Sequence, residues 1–329
     1  MYKRKVCNKK RKKQKQNKIM LIGTLSLLLF LSIGYAAFQT NLSITAKGNI
    51  KDITGAELLR KSCNTPNGNG LYEDEYEKGR CIYKGNNPNN YILIDTEIYR
   101  IVAVEQDNRI KIVKNDIVTN TINFDDNTTS RYSVNGYCTD SQGCNTWASN
   151  KTLLDTNKNP VSYITINEIN YELPEIEAKA NRYLNSTGEY NNSGFYNSLS
   201  AHTKKQITES YFAIGSVSET DETQISHIIE EENKHYWRGN IGLLNVSDYA
   251  KANNTSGNYL SDLYWWYWFI NPPVNSRNQL RSRRNGIEGY GIVYYGKGST
   301  VGLIPSFYLS SDIKLSGRGS LENPYVIKN

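Results

Sequence analysis

A run of six aromatic residues, YWWYWF at 264–269, is the segment whose residue types most directly suggest ligand binding. Flat aromatic rings suit stacking on the C–H faces of sugars, and Trp and Tyr are concentrated at recognition surfaces. Side chains alternate between the two faces of a strand, so Trp266 and Trp268 would point to the same side. The alternative is a central strand buried on both faces, in which every ring belongs to the core.

Arginines follow the aromatic run, among them Arg281 and Arg283. Guanidinium groups are forked donors that bind carboxylates and phosphates, and these two share a side if the segment is a strand. The two features together predict a site for an acidic sugar or an anionic cell-wall polymer. Its ligand-binding residues would be Trp266, Trp268, Arg281 and Arg283. The alternative is a solvated hairpin edge whose charges oppose strand-to-strand aggregation.

Motifs for catalysis or metal binding are missing from the sequence. His202, His227 and His235 lack metal-ligand spacing such as His-Glu-x-x-His, and neither a nucleophile motif nor a phosphate-binding Gly loop occurs. We therefore predict no catalytic residue, no metal and no cofactor. Carboxylates at 219–232 or 120–145 could still supply the close pair that a glycosidase requires.

The cysteines indicate an oxidising compartment. Cys7 lies in the basic N-terminal segment, and four others follow at Cys63, Cys81, Cys138 and Cys144. An even number of exported cysteines predicts two disulfides, which could connect in three ways. Local pairing of Cys63 with Cys81 and of Cys138 with Cys144 is the simplest. Four reduced thiols are the alternative, whereas zinc is disfavoured because no Cys-x-x-Cys pair or nearby His exists.

The N-terminus predicts a membrane anchor. Residues 1–18 form a basic tail with ten Lys and Arg, and residues 19–38 form a charge-free apolar stretch. Twenty helical residues span about 30 Å, the thickness of the hydrocarbon core of a bilayer. Because Lys and Arg stay on the cytoplasmic side, everything after residue 38 would be extracellular. The alternative is a signal peptide cleaved after Ala36, which would release the protein.

The net charge of +7 comes from this basic tail. Without its ten cations, 29 of the 39 Lys and Arg remain against 32 Asp and Glu, so the exported part carries about −3. A slightly acidic exterior disfavours nucleic-acid binding. We expect the tail to set the membrane topology and to contact anionic lipid headgroups.

Short apolar runs in the exported part predict an α+β fold. β-Branched runs separated by turn residues predict a meander, and helical spacing predicts two helices. We interpret residues 39–89 as a stalk with a small appendage and residues 90–329 as one extracellular domain. The predicted strands are 91–95, 97–105 and 109–116, followed by the helices 174–187 and 195–209 and by further strands that include the aromatic run.

Four strings carry a resemblance to known proteins: YRIVAV with IKIVKND in 99–116, WASNKTLLD at 147–155, RGNIGLLNVSDYA at 238–250, and GLIPSFYLSSDIKLSGRGSLENPY at 302–325. Their order resembles a family of anchored or secreted surface proteins of unknown function from low-GC Gram-positive bacteria. Such domains look distantly like the fold shared by C-type lectins and formylglycine-generating enzymes. The resemblance implies an irregular scaffold of short antiparallel strands with two or three helices.

The sequence departs from the resembled pattern at two points. Where the family has Gly-x-Arg-Pro, this chain has Ile304 in place of the Arg. Formylglycine-generating activity would need paired cysteines late in the domain, and no Cys follows Cys144. The resemblance therefore implies a scaffold without that enzyme activity.

Together these features predict an anchored bacterial surface protein with a non-catalytic extracellular binding domain. Its partner would be a glycan, a cell-wall polymer or a surface protein. One alternative is an exported enzyme that acts on cell-surface polymers by carboxylate acid–base chemistry, and another is a structural envelope protein. A cleft with a close carboxylate pair would favour the enzyme, whereas an exposed aromatic and basic groove would favour the binder.

Overall fold

The chain divides into two compact units, Met1–Asp52 and Ile53–Asn329. The structure, a computed structural model, describes residues of the second unit only. These are 53–63, 70–125, 145–166, 169–218, 224–273, 279–282, 293–295 and 301–328.

Several predictions from sequence fall on other parts of the chain. The predicted membrane segment 19–38, Cys138, Cys144 and Arg283 lie outside the described residues. Within the described residues, no helix has the length and apolar character needed to cross a membrane.

The described residues form short strands and a few short helices, which confirms the α+β class. The helices are α1 Gly55–Arg60, α2 Lys179–Asn185, α3 Phe195–Ser198, α4 Ala201–Gln206, α5 Ile225–Glu232 and α6 Val246–Lys251. The strands are β1 Leu71–Glu73, β2 Cys81–Tyr83, β3 Tyr91–Ile94, β4 Glu97–Val104, β5 Ile110–Lys114, β6 Tyr163–Ile166, β7 Ile169–Glu172, β8 Ser210–Ala213, β9 Tyr236–Gly239, β10 Ile241–Gly242, β11 Gln279–Arg281, β12 Val293–Tyr295, β13 Ser306–Leu309, β14 Leu315–Ser316 and β15 Tyr325–Ile327.

A single large sheet organises this unit, with the strand order β10-β13-β5-β4-β3-β15-β14. β15 runs parallel to β3, and the other neighbouring strands in this order pair antiparallel. β4 is the longest strand, and it pairs with β3 through its first half and with β2 through its end. All residues of β4 from Tyr99 onward are buried, so both faces of the sheet are covered by other elements.

The predicted meander is confirmed as β3, β4 and β5. The predicted helix at 195–209 is two helices, because the chain is extended at Leu199 and Ser200 between them. The Ser200 side chain accepts a hydrogen bond from the backbone N–H of Thr203 and so begins α4 as a new helix.

Residues 53–63 and 70–89 pack into the same core as the rest of the described unit, whereas the sequence suggested a separate appendage before residue 90. β2 pairs with β4 in the main sheet, and Ala56 and Leu59 of α1 are buried in the common core. A capping box between Thr54 and Glu57 begins α1.

The aromatic run does not form the predicted strand. Between residues 264 and 270, Tyr267 and Trp268 make only isolated bridges, to Gly302 and Arg281 respectively. A Cβ at Gly302 would lie 2.9 Å from the Tyr264 ring and 3.2 Å from the carbonyl oxygen of Trp266, so the run passes close to the backbone at Gly302. The regular alternation of a strand, on which the predicted placement of Trp266 beside Trp268 depended, is missing here.

A disulfide joins Cys63, just after α1, to Cys81 at the start of β2. This confirms one of the two local pairings. The bond links α1 to the main sheet, in which β2 pairs with β4.

Removing this disulfide should destabilise the fold. The cross-link spans a sequence separation of 18 residues. Closing a loop of this length lowers the entropy of the unfolded chain and so stabilises the folded state by about 3 kcal/mol. We expect the Cys63→Ala, Cys81→Ala variant to lose about that much unfolding free energy in urea titrations. Adding reductant should lower the stability of the wild type to the same level and leave the variant unchanged. A wild type that is indifferent to reductant would contradict the prediction.

Candidate functional site

Five buried charged side chains connect the start of the main sheet to helix α6. Asp74 and Arg80 come from the β1–β2 connection, Lys111 from β5, and Asp248 and Lys251 from α6. We call these five residues the charged cluster, and none is more than 5% exposed. Burying a charge is unfavourable unless it is paired and hydrogen-bonded. The pairing therefore determines what the cluster can do.

Each buried carboxylate of the cluster contacts two cations. Asp248 accepts from Nη2 of Arg80 at 2.8 Å and from Nζ of Lys111 at 2.6 Å. Asp74 accepts from Nη1 of Arg80 at 2.8 Å and from Nζ of Lys251 at 2.9 Å. The four ion pairs form a chain from Lys111 through Arg80 to Lys251.

Two less buried carboxylates extend the cluster. Glu105 accepts from Nε of Arg80 at 3.0 Å, and Glu77 forms an ion pair with Lys251. The charged cluster and these two residues together have three cations and four carboxylates, so the positive and negative charges nearly balance.

The surroundings keep the cluster ionised. Burial alone would raise the pKa of Asp248, but the positive charges of Lys111, Arg80 and Lys251 outweigh it and hold the pKa below its ordinary value. At Asp74, burial also raises the pKa, but the positive charges of Lys251 and Arg80 outweigh this effect and the pKa is lowered. Because both carboxylates stay charged at neutral pH, neither suits the role of a proton donor.

Glu232 is a buried carboxylate of a different kind. It is the last residue of α5 and is 2% exposed. It accepts hydrogen bonds from the backbone N–H of Ser247, at 2.9 Å, and from the Ser247 hydroxyl. Burial raises the pKa of Glu232 to about 7, because the two bonds from Ser247 only partly offset the loss of water. This carboxyl therefore changes its charge near neutral pH.

A cleft of about 280 Å³ lies against the charged cluster. It is lined by charged groups of the cluster, by Glu232 and Asn245, and by tyrosines of the paired strands β8 and β9 and of β13. The aromatic lining residues are Tyr211, Tyr236 and Tyr308.

A lysine from a separate turn completes the cleft lining. Nζ of Lys158 lies 4.8 Å from the ring centroid of Tyr211 and 5.3 Å from that of Tyr236. Lys158 is exposed and Tyr211 is 37% exposed, so this part of the cleft opens to solvent. A cation at this distance from a ring interacts favourably with the π face.

The residues predicted from the aromatic and arginine pattern lie in another part of the fold. Trp268 is fully buried, and its ring centroid is 6.0 Å from that of Phe124, so it is a core residue that no ligand can reach. Trp266 is 42% exposed, and the guanidinium carbon of Arg281 lies 4.3 Å from its ring centroid. The structure therefore brings Trp266 and Arg281 together, removes Trp268 from the surface and does not describe Arg283.

Of the cleft residues, only Glu232 falls within a range singled out from sequence, the carboxylates at 219–232. One signal was present at Lys111, a charged residue inside the β-branched run IKIVK, where a buried strand would need a partner for it. Lys158 and Tyr211 carry no such signal, because their contact depends on how a distant turn packs against the paired strands β8 and β9.

Comparison with known proteins does not assign a function. No protein-family model, no characterised protein and no solved structure matches the chain. In the described part of the chain, no group of three or more His, Cys, Asp or Glu side chains could hold a metal ion. A function must therefore be argued from the cleft itself.

Replacing Asp248 tests whether the charged cluster holds the fold. Asp248→Asn leaves the buried charges of Arg80 and Lys111 without their shared carboxylate, and loss of one partner of a buried pair costs about 3 to 5 kcal/mol. We expect urea unfolding to show a loss of this size. The control is Glu75→Gln, which breaks the ion pair between Glu75 and Lys84. Because the Glu75 side chain is 73% exposed, this substitution should change the unfolding free energy by less than about 0.5 kcal/mol. Equal effects of the two substitutions would contradict the prediction.

Glu232 should make stability depend on pH. Its pKa is about 7 in the folded chain against an ordinary 4.5, so the folded state holds a proton that the unfolded state has released. The unfolding free energy should therefore fall by about 3 kcal/mol as the pH rises from 4.5 through 7.

The variant Glu232→Gln should remove this loss and be the more stable protein at pH 8. Subtracting its profile from that of the wild type cancels other groups that titrate nearby, including His235, whose pKa is lowered by burial. Glu230→Gln, at an exposed position of the same helix, is the control for loss of one carboxylate. Parallel profiles of the wild type and Glu232→Gln would contradict the assignment.

Proposed function

We propose that this chain is a membrane-anchored surface protein whose folded unit binds a saccharide in the cleft beside the charged cluster. Residues 19–38 would anchor it, with the folded unit outside the cell. The short strands, short helices and long connections of the described residues support a C-type-lectin-like scaffold, the finer fold that the sequence resemblance implies.

The observation that carries this proposal is the convergence of charged groups and tyrosine rings in one cleft. Ligand sites combine a concave surface with a few polar groups held in place. Here Asp248 fixes both Arg80 and Lys111, so the polar side of the cleft is set before any ligand arrives. Preorganisation of this kind reduces the entropy lost on binding.

The chemistry of the lining suits a sugar. Sugar hydroxyls both donate and accept hydrogen bonds, and the cleft offers acceptors on Glu105 and Asn233 together with donors on Arg109. Tyr211 presents part of its ring at the open end, where the C–H face of a sugar could pack. A volume of about 280 Å³ accommodates a small polar molecule or one ring of a longer chain rather than a folded partner.

One observation favours a second function, acid–base catalysis. A carboxylic acid with a pKa near 7, as Glu232 has, is suited to general acid catalysis. A glycosidase also needs a second carboxylate free to act as base or nucleophile. Asp248 and Glu105 are held by cations, so binding without chemistry is the better supported function.

A glycan and wall-polymer array tests the proposal. The full-length protein, kept in mild detergent, should bind saturably to at least one saccharide. Tyr211→Ala should weaken that binding by about tenfold, because it removes an aromatic contact and the support of Lys158. Tyr72→Ala is the matched control, since Tyr72 is 39% exposed and does not line the cleft.

Two results would contradict the proposal. The wild type could fail to bind any saccharide on the array. Alternatively, binding could survive in Tyr211→Ala and be lost in Trp266→Ala, which would place the site at the surface predicted from sequence.

A further inference from the structure

We propose, building on the function proposed above, that Lys158 forms an anion subsite at the open end of the cleft and that the bound saccharide is therefore an acidic one. The anionic group would be a carboxylate or a phosphate on the sugar. Four observations carry this: the geometry of the turn, the packing of the ammonium group, the local charge balance and the pairing on the cleft floor.

The turn that carries Lys158 is held in place before any ligand binds. The carboxylate of Asp155 accepts hydrogen bonds from the backbone N–H groups of Asn157 and Asn159, both at 2.8 Å. The backbone N–H of Lys158 donates to the carbonyl of Asp155 at 2.9 Å. Lys158 itself has a φ of 63°, a left-handed conformation that is uncommon for a residue with a side chain and is found preferentially at functional sites.

The turn is also attached to the cleft wall. Leu154 and Tyr236 exchange backbone hydrogen bonds of 2.8 and 2.9 Å, which attaches this segment to β9. The Lys158 ammonium consequently lies near the rings of Tyr211 and Tyr236. These rings position the cation but accept no conventional hydrogen bond, so its N–H donors remain for a ligand oxygen.

Lys158 differs from the other cations near this end of the cleft in its pairing. Among the described residues, no carboxylate forms an ion pair with Lys158. The neighbouring cations differ in this respect, because Arg109 pairs with Asp107 and Arg238 pairs with Glu209, each at 2.8 Å. An incoming anion would therefore meet one unpaired ammonium rather than a set of neutralised pairs.

The acidic groups on the cleft floor do not oppose this binding. Among the carboxylates that line the cleft, Asp248, Glu105 and Glu77 all form ion pairs with cations of the charged cluster, so their negative charge is largely cancelled locally. The remaining charge pattern favours a ligand whose anionic group lies at Lys158 and whose hydroxyls extend toward the floor.

Calorimetric titrations with three related sugars test the subsite. The probes are glucose, glucuronic acid and glucose 6-phosphate, each added to the full-length protein in mild detergent at low salt. We expect at least one acidic sugar to bind about five- to tenfold more tightly than glucose, and this preference to shrink at high salt. A preference for glucuronic acid would identify the anion as a carboxylate, and one for glucose 6-phosphate as a phosphate.

Variants of Lys158 then locate the effect. Lys158→Met keeps the aliphatic stem against the rings and should abolish the preference for the acidic sugar over glucose. Lys158→Arg should restore most of the preference, because it restores the positive charge. The exposed Lys151, changed to Met, is the control and should behave as the wild type.

The outcomes separate the subsite from the general function. Binding of glucose with no preference for either acidic form would overturn the anion subsite and leave the saccharide site standing. An acidic preference that survives in Lys158→Met would also overturn it. Failure of the wild type to bind any of the three sugars at millimolar concentration would overturn the anion subsite, and an array without any bound saccharide as well would overturn both proposals.

Discussion

The carboxylate of Asp248, shared between Arg80 and Lys111, is the interaction on which the site depends. It joins a residue of α6 to the β1–β2 connection and to β5, three segments that are distant in the sequence. None of these segments can shift without leaving a buried charge unpaired, which is costly in a medium of low polarity. The same contact therefore stabilises the fold and keeps the polar side of the cleft in one arrangement.

Sequence patterns predicted the strands that pair with neighbours close in the sequence, but not the pairings between distant segments. The strands β3, β4 and β5 follow from β-branched runs with short turns, because hairpin neighbours pair close in sequence. The pairing of β2 with β4 has no such signal, so the sequence alone suggested a stalk and appendage at 39–89, although β2 belongs to the main sheet. The prediction of a strand for the aromatic run was wrong, because an irregular segment can also bury rings such as Tyr267 and Trp268.

The candidate site was predicted less well than the fold. Residue types at 264–283 indicated a contact between aromatic and arginine side chains, and Trp266 and Arg281 do make one. The charged cluster could not be predicted, since Arg80 and Asp248 are 168 positions apart and charged residues are usually exposed. Apart from Lys111, which interrupts a β-branched run, these charges look like ordinary surface residues in the sequence and become a buried network only through tertiary packing.

Hydrogen–deuterium exchange of the wild type and Asp248→Asn would test most directly whether the shared carboxylate holds the cleft together. Exchange reports local opening segment by segment. If the cluster holds these segments, amides in 70–83 and 241–252 should exchange faster in the variant, while the β6–β7 hairpin, which contributes no residue to the cluster, should be unchanged. Uniform acceleration across the unit, or no change at 70–83 and 241–252, would contradict this account of the cluster.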